Sequence, residues 1–188
     1  MLEPKRPARG RLEGGAVDPS RSWSDPVCLR IVLLEIIPPV WRRLRVPGQM
    51  TLRQLHAVLQ CAMGWPGIEA HRFRVGEVLY GKMSEGGDLR DSRWVTVADV
   101  AAALGDGSFR YELLADETWE HDIRIEGVLE ARTDNQIPVC LGGEGPWPAE
   151  AGGTPEDFVD RVDFMTADRL EAGDFDLEAV NRALARLR

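Results

Sequence analysis

The sequence predicts a single α+β domain: a mostly antiparallel sheet with helices packed on one face and an amphipathic helix at the C-terminus. Three observations predict it. Runs with period-two hydrophobicity, such as His71–Val75 and Trp119–Glu126, read as half-buried antiparallel strands. Capped segments with apolar residues at helical spacing interrupt them near 51–64 and 96–105. No internal repeat or long linker divides residues 27–188, and 188 residues suit one domain with a tail.

Residues 1–26 are rich in Pro, Gly, Arg and Ser without a hydrophobic period, and are expected to form a disordered N-terminal tail. Val27 to Ile37 is almost wholly apolar, broken only by Arg30 and Glu35, and its β-branched residues suit a central strand. Pro38-Pro39 ends it, because proline has no amide proton to give a ladder. Val40, Arg42, Leu44 and Val46 then point one way, and Trp41, Arg43 and Arg45 the other.

Thr51 and Gln54 form a capping box, opening a helix that buries Leu52, Leu55, Leu59 and Ala62 with Val58 and Met63 beside them. Gly64 suits the left-handed residue after it, and Pro66 prevents continuation. His71, Phe73 and Val75 alternate with Arg72 and Arg74, and Gly76-Glu77 fits a two-residue hairpin turn. Residues 81–93 read as a loop, and Thr96 opens a short helix that ends at Gly105.

Phe109, Tyr111 and Leu113 face inward on the next strand, followed by Trp119, His121, Ile123 and Ile125, whose alternation with Glu120, Asp122, Arg124 and Glu126 is the cleanest in the chain. Ile137–Leu141 is a further short strand, residues 142–153 a Gly/Pro-rich loop, and Thr154-Pro155 the start of a helix. Asp176 caps the last helix, whose apolar stripe is Leu177, Val180, Leu184 and Leu187. The sheet is expected to hold about five to seven strands.

Composition narrows the function classes. No run reaches the length of a membrane helix, and the first residues lack the apolar core of a secretory signal. Three cysteines without CxxC spacing suit reduced thiols, so a cytoplasmic protein is expected. The net charge of −8 disfavours a nucleic-acid coat. It is unevenly spread: residues 1–75 carry 12 Lys and Arg against 6 Asp and Glu, and residues 76–188 carry 11 against 25.

The order of motifs resembles the plasmid pRiA4b ORF-three-like family, some of whose members are labelled insertion-sequence passenger proteins (TnpR-like). The resemblance rests on Pro38-Pro39-Val40-Trp41-Arg42-Arg43, Leu55-His56, Ala62-Met63-Gly64-Trp65, His71-Arg72-Phe73 with Tyr80-Gly81, then Tyr111, Asp116, Trp119-Glu120-His121, Cys140 with Gly143-Glu144, and the Asp176–Asn181 ending. It implies a small α+β domain of unestablished activity in plasmid, mobile-element or chromosomal settings. A serine recombinase would need a rigidly placed nucleophile, and Ser20, Ser22 and Ser24 sit in the expected tail. The chain departs from the family pattern at Glu69, where a histidine is common, at Leu114-Ala115, and at Trp147 and Ala151, where relatives carry cysteines.

Two constellations carry candidate chemistry. Trp41, Arg42, Arg43 and Arg45, joined by Trp65, Arg72, Arg74 and Trp119, offer aromatic and guanidinium groups for a binding face. His56, His71 and His121, with Asp116 or Glu69 as a fourth group, would suit zinc or another divalent ion if they converged; otherwise they are core imidazoles. Gly142–Gly145 lacks the Lys-Ser/Thr of a phosphate loop, and Cys140 has no neighbouring base in sequence. The reading that follows is a non-enzymatic interaction module without a cofactor, meeting a protein partner in a mobile-element or regulatory setting. A metal-dependent hydrolase or nuclease on His56, His71 and His121, and a nucleic-acid adaptor, are the alternatives.

Overall fold

A computed structural model describes residues 25–65, 67–82, 89–115, 117–128, 138–145 and 175–187. The expected tail up to residue 24, Pro66, Asp116, Trp147 and the helix expected at Thr154 lie outside the described residues. Among those described, eight strands form one sheet: β1 (Val27–Leu33), β2 (Trp41–Val46), β3 (His71–Val75), β4 (Val78–Gly81), β5 (Arg90–Asp91), β6 (Ser108–Leu114), β7 (Thr118–Val128) and β8 (Val139–Glu144). Their order is β5-β4-β3-β6-β7-β1-β2-β8, antiparallel except for the short β4–β5 pair. The strand count exceeds the expected range because β5, only two residues long, carries no hydrophobic signal of its own.

β1 takes an interior place because both its neighbours, β2 and β7, cover its backbone groups. It stops at Leu33, four residues before the apolar run ends at Ile37. Glu35 adopts a left-handed φ of 61°, which turns the chain out of the ladder, and Ile37 is 79% exposed. A run of apolar letters cannot register that turn.

Three helices among the described residues, α1 (Leu52–Met63), α2 (Val97–Leu104) and α3 (Leu177–Leu184), share one core cluster with the inward-facing strand residues. Both expected capping boxes form, with Thr51 and Gln54 opening α1 and Thr96 and Asp99 opening α2. Gly64 closes α1 at φ 77°, a conformation that only glycine adopts cheaply. Every residue expected on the buried side of α1 is buried, and His56 joins them.

α3 differs from its expected stripe. Val180 and Leu184 are buried, but Leu177 and Leu187 are 39% and 47% exposed. The helix docks at the rim of the sheet, so only one side of its stripe meets α1 and β8. Asn181 fastens it there: its Oδ1 accepts from the Cys140 amide at 2.8 Å and its Nδ2 donates to the Cys140 carbonyl at 3.0 Å. The side chain thus stands in for a neighbouring strand along β8.

Candidate functional site

The two faces of the sheet separate the two candidate constellations. The helix-covered face holds the histidines. His71, Phe73 and Val75 on β3, Phe109, Tyr111 and Leu113 on β6, and Trp119, His121 and Ile123 on β7 all point inward, as their alternation requires. Tyr111 is central. His56 lies 2.8 Å from its hydroxyl through Nδ1, and His121 lies 3.3 Å from its carbonyl oxygen through Nδ1. His71 stacks on His56 with ring centres 3.6 Å apart and planes 11° from parallel.

His56 Nδ1 meets the Tyr111 hydroxyl and its Nε2 meets the Gln60 side-chain amide, each at 2.8 Å, so the tautomer of this ring follows the orientation of that amide. His71 Nδ1 donates to the Glu69 carbonyl at 2.7 Å and His121 Nδ1 donates to the Tyr111 carbonyl, which leaves both Nε2 atoms as acceptors. Burial holds all three imidazoles below their ordinary value: His121 to about 4, His56 to about 4 with the neighbouring His71 adding to the effect, and His71 downward as well. They are neutral rings.

The three rings do not converge on one point. A ligand nitrogen directs its lone pair in the plane of its ring, so an ion bound by His56 and His71 would have to lie in two nearly parallel planes 3.6 Å apart. His121 sits beyond Tyr111, with 5.1 Å between their ring centres. Glu69 is exposed and paired with Lys82 at 3.0 Å. No group of three or more His, Cys, Asp or Glu among the described residues is placed to hold an ion. His56, His71 and Tyr111 form a packed aromatic layer, and Asp116, the fourth group expected for zinc, lies outside the described residues. Burial pushes the Cys28, Cys61 and Cys140 thiols up from the ordinary cysteine value, which disfavours the thiolate form.

Three members of the expected binding face belong to this buried side. Trp65 and Trp119 pack on each other with ring centres 4.7 Å apart and are 9% and 3% exposed. Arg42 is fully buried beside Leu44 and Val46, as its phase on β2 dictates. Its guanidinium donates to the carbonyls of Ala62, Trp41, Glu144 and Gly145, lies 4.5 Å from the Phe175 ring centre, and is lowered to about 10 by burial. It ties α1, β2 and β8 together. A guanidinium enclosed this way is a structural pin, out of a partner's reach.

The opposite face of the sheet is polar. Trp41, Arg43 and Arg45 emerge there as expected, but Arg72 and Arg74 do not adjoin them, because β1, β7 and β6 intervene. Four strand spacings put about 19 Å between the two groups. Arg72 and Arg74 share the carboxylate of Glu112, and Arg110 lies 3.7 Å from Asp122. Trp41 donates through Nε1 to Glu144 at 2.8 Å and lies under the Arg30 guanidinium, 4.4 Å from its ring centre.

The sequence reading missed Arg30 and Arg124. The register sets Arg30 directly opposite Arg43 on one side and Arg124 on the other. Arg43 bonds Glu126 at 2.5 Å, whereas Arg124 has no ion-pair partner among the described residues. Arg30 breaks an otherwise apolar strand, which was the available signal; the pairing that brings Arg124 beside it was not in the letters.

Fold and site together define a class: a small α+β domain with its imidazoles sealed under helices and an arginine-bearing sheet face on the other side. The chain belongs to the plasmid pRiA4b ORF-3-like protein family, whose pattern matches residues 26–182. It is 33% identical over 167 residues to an uncharacterized protein, y4hQ, of Sinorhizobium fredii, covering 82% of this chain and 86% of that one. A protein of unknown function from Methanosarcina mazei Go1 shares the fold in its crystal structure, with a TM-score of 0.70 and 21% identity over 84% of this chain and 97% of that one. No helix among the described residues is long and apolar enough to cross a membrane.

Proposed function

We propose that this chain is a non-enzymatic binding module whose open sheet face receives a protein partner. The observation that carries the reading is the division of labour between faces: the three imidazoles go to the helix-covered side, while Arg30, Arg43 and Arg124 stay exposed on the other, beside a half-buried Trp41. Rigid strands hold these groups in fixed relation, which lowers the ordering cost of binding. Three free cysteines suit a reducing cytoplasm, and the family's plasmid origin suits a mobile-element or regulatory setting.

Position-specific photocrosslinking tests it. A benzophenone side chain at Ser108, exposed on this face, is expected to capture a discrete protein in cells of the source organism. The same group at Ala57, exposed on α1, is expected to capture none. Equal patterns at both positions would rule the face out.

A further inference from the structure

We infer that the row Arg124–Arg30–Arg43 is a carboxylate clamp, and that the partner presents an acidic segment to it; this rests on the binding-face reading above. The three residues lie directly opposite one another on β7, β1 and β2. At about 4.8 Å per strand their stems span about 10 Å. Like charges placed directly opposite each other destabilise a sheet. Elsewhere on this face Arg72 meets Glu112 and Arg110 meets Asp122 across the strands, and Arg74, which stands opposite Arg110, reaches Glu112 at 3.5 Å. Among the described strands, only this row sets three arginines side by side.

The chain neutralises it only in part. Glu126 holds Arg43, the indole of Trp41 lies beneath Arg30, and Arg124 is exposed without an ion-pair partner among the described residues. The row is also open at both ends. Ser108, opposite Arg124, is exposed, and at Gly142, opposite Arg43, an added side chain would meet nothing within 4 Å.

Carboxylates on alternate residues of an extended peptide repeat at about 7 Å, so two of them fit within the span of the row. A nucleic-acid backbone fits worse. It would run past the clamp onto Glu120, Asp122 and Glu144 on the same face, and the chain carries a net charge of −8.

The test uses the full chain, fluorescein-labelled hexaglutamate, a hexaglutamine control and a labelled oligothymidylate, read by fluorescence anisotropy at low salt. Hexaglutamate is expected to bind, with affinity falling as salt rises. Arg30→Gln and Arg124→Gln are each expected to weaken it at least about fivefold, while Arg53→Gln on α1 leaves it unchanged. Circular dichroism checks that each variant is folded. Absence of hexaglutamate binding, binding by either row variant as tight as that of the native chain, or preference for the oligothymidylate would each overturn the clamp. A partner crosslinked at Ser108 without hexaglutamate binding overturns the clamp alone; failure of both overturns the binding face as well.

Discussion

Acid is expected to unfold this domain through its buried imidazoles, and His121 gives the clearest magnitude. It is fully enclosed, and burial lowers it from the ordinary 6.5 to about 4. The unfolded chain therefore takes up a proton at a pH where the folded chain cannot. The stability this ring contributes is complete above 6.5 and drains away as the pH falls toward about 4. Between about pH 7.5 and about pH 5 the loss from this ring alone is about 2 kcal/mol, rising to about 3 kcal/mol below pH 4. His56 acts in the same direction, lowered to about 4. Urea titrations of the native chain and of His121→Phe across this range isolate the term, because phenylalanine keeps the ring and removes the proton site. The gap between the two curves is expected to move by about 2 kcal/mol in favour of the variant. Parallel pH profiles would refute the argument and show that the ring is charged or solvated in the folded state.

Removing the Arg42 pin by Arg42→Met is expected to cost about 3 kcal/mol in a denaturant titration, since the carbonyls of Ala62, Glu144 and Gly145 lose their donor inside the fold. Gly143→Ala is expected to destabilise by about 2 kcal/mol in the same assay, because its Cβ would lie 2.8 Å from Arg42 Cδ, the Phe175 ring and the Trp41 carbonyl. Prolonged dialysis against a chelator is expected to leave the thermal midpoint unchanged, the His56 and His71 rings being stacked face to face rather than convergent. A fall of several degrees on metal removal would contradict that geometry.

Legibility followed the range of the interaction. The caps at Thr51, Thr96 and Asp176 were readable because each is satisfied within three residues. So was the hairpin at Gly76-Glu77, and so were the inward phases of β3, β6 and β7, which the pleat fixes residue by residue. Even the burial of Arg42 was written in the phase of β2, although its charge drew it into the expected binding face. Trp65 was misplaced for a different reason. It follows the helix stop at Gly64, where sequence marks a loop, but the turn folds it back onto Trp119.

The sequence by itself determined the capped helices α1, α2 and α3 and the dry side of β2, β3, β6 and β7. Steric preference, local hydrogen bonding and period-two alternation act between near neighbours, and the letters carry them. Only the tertiary structure decided that β6, β7 and β1 lie between β3 and β2, so that Arg72 and Arg74 stand apart from Arg43 while Arg30 and Arg124 stand beside it. It also decided that His56 and His71 stack rather than converge. Strand order and register arise from long-range packing of the whole core, in which the single best burial of apolar surface is selected. No local pattern encodes that choice.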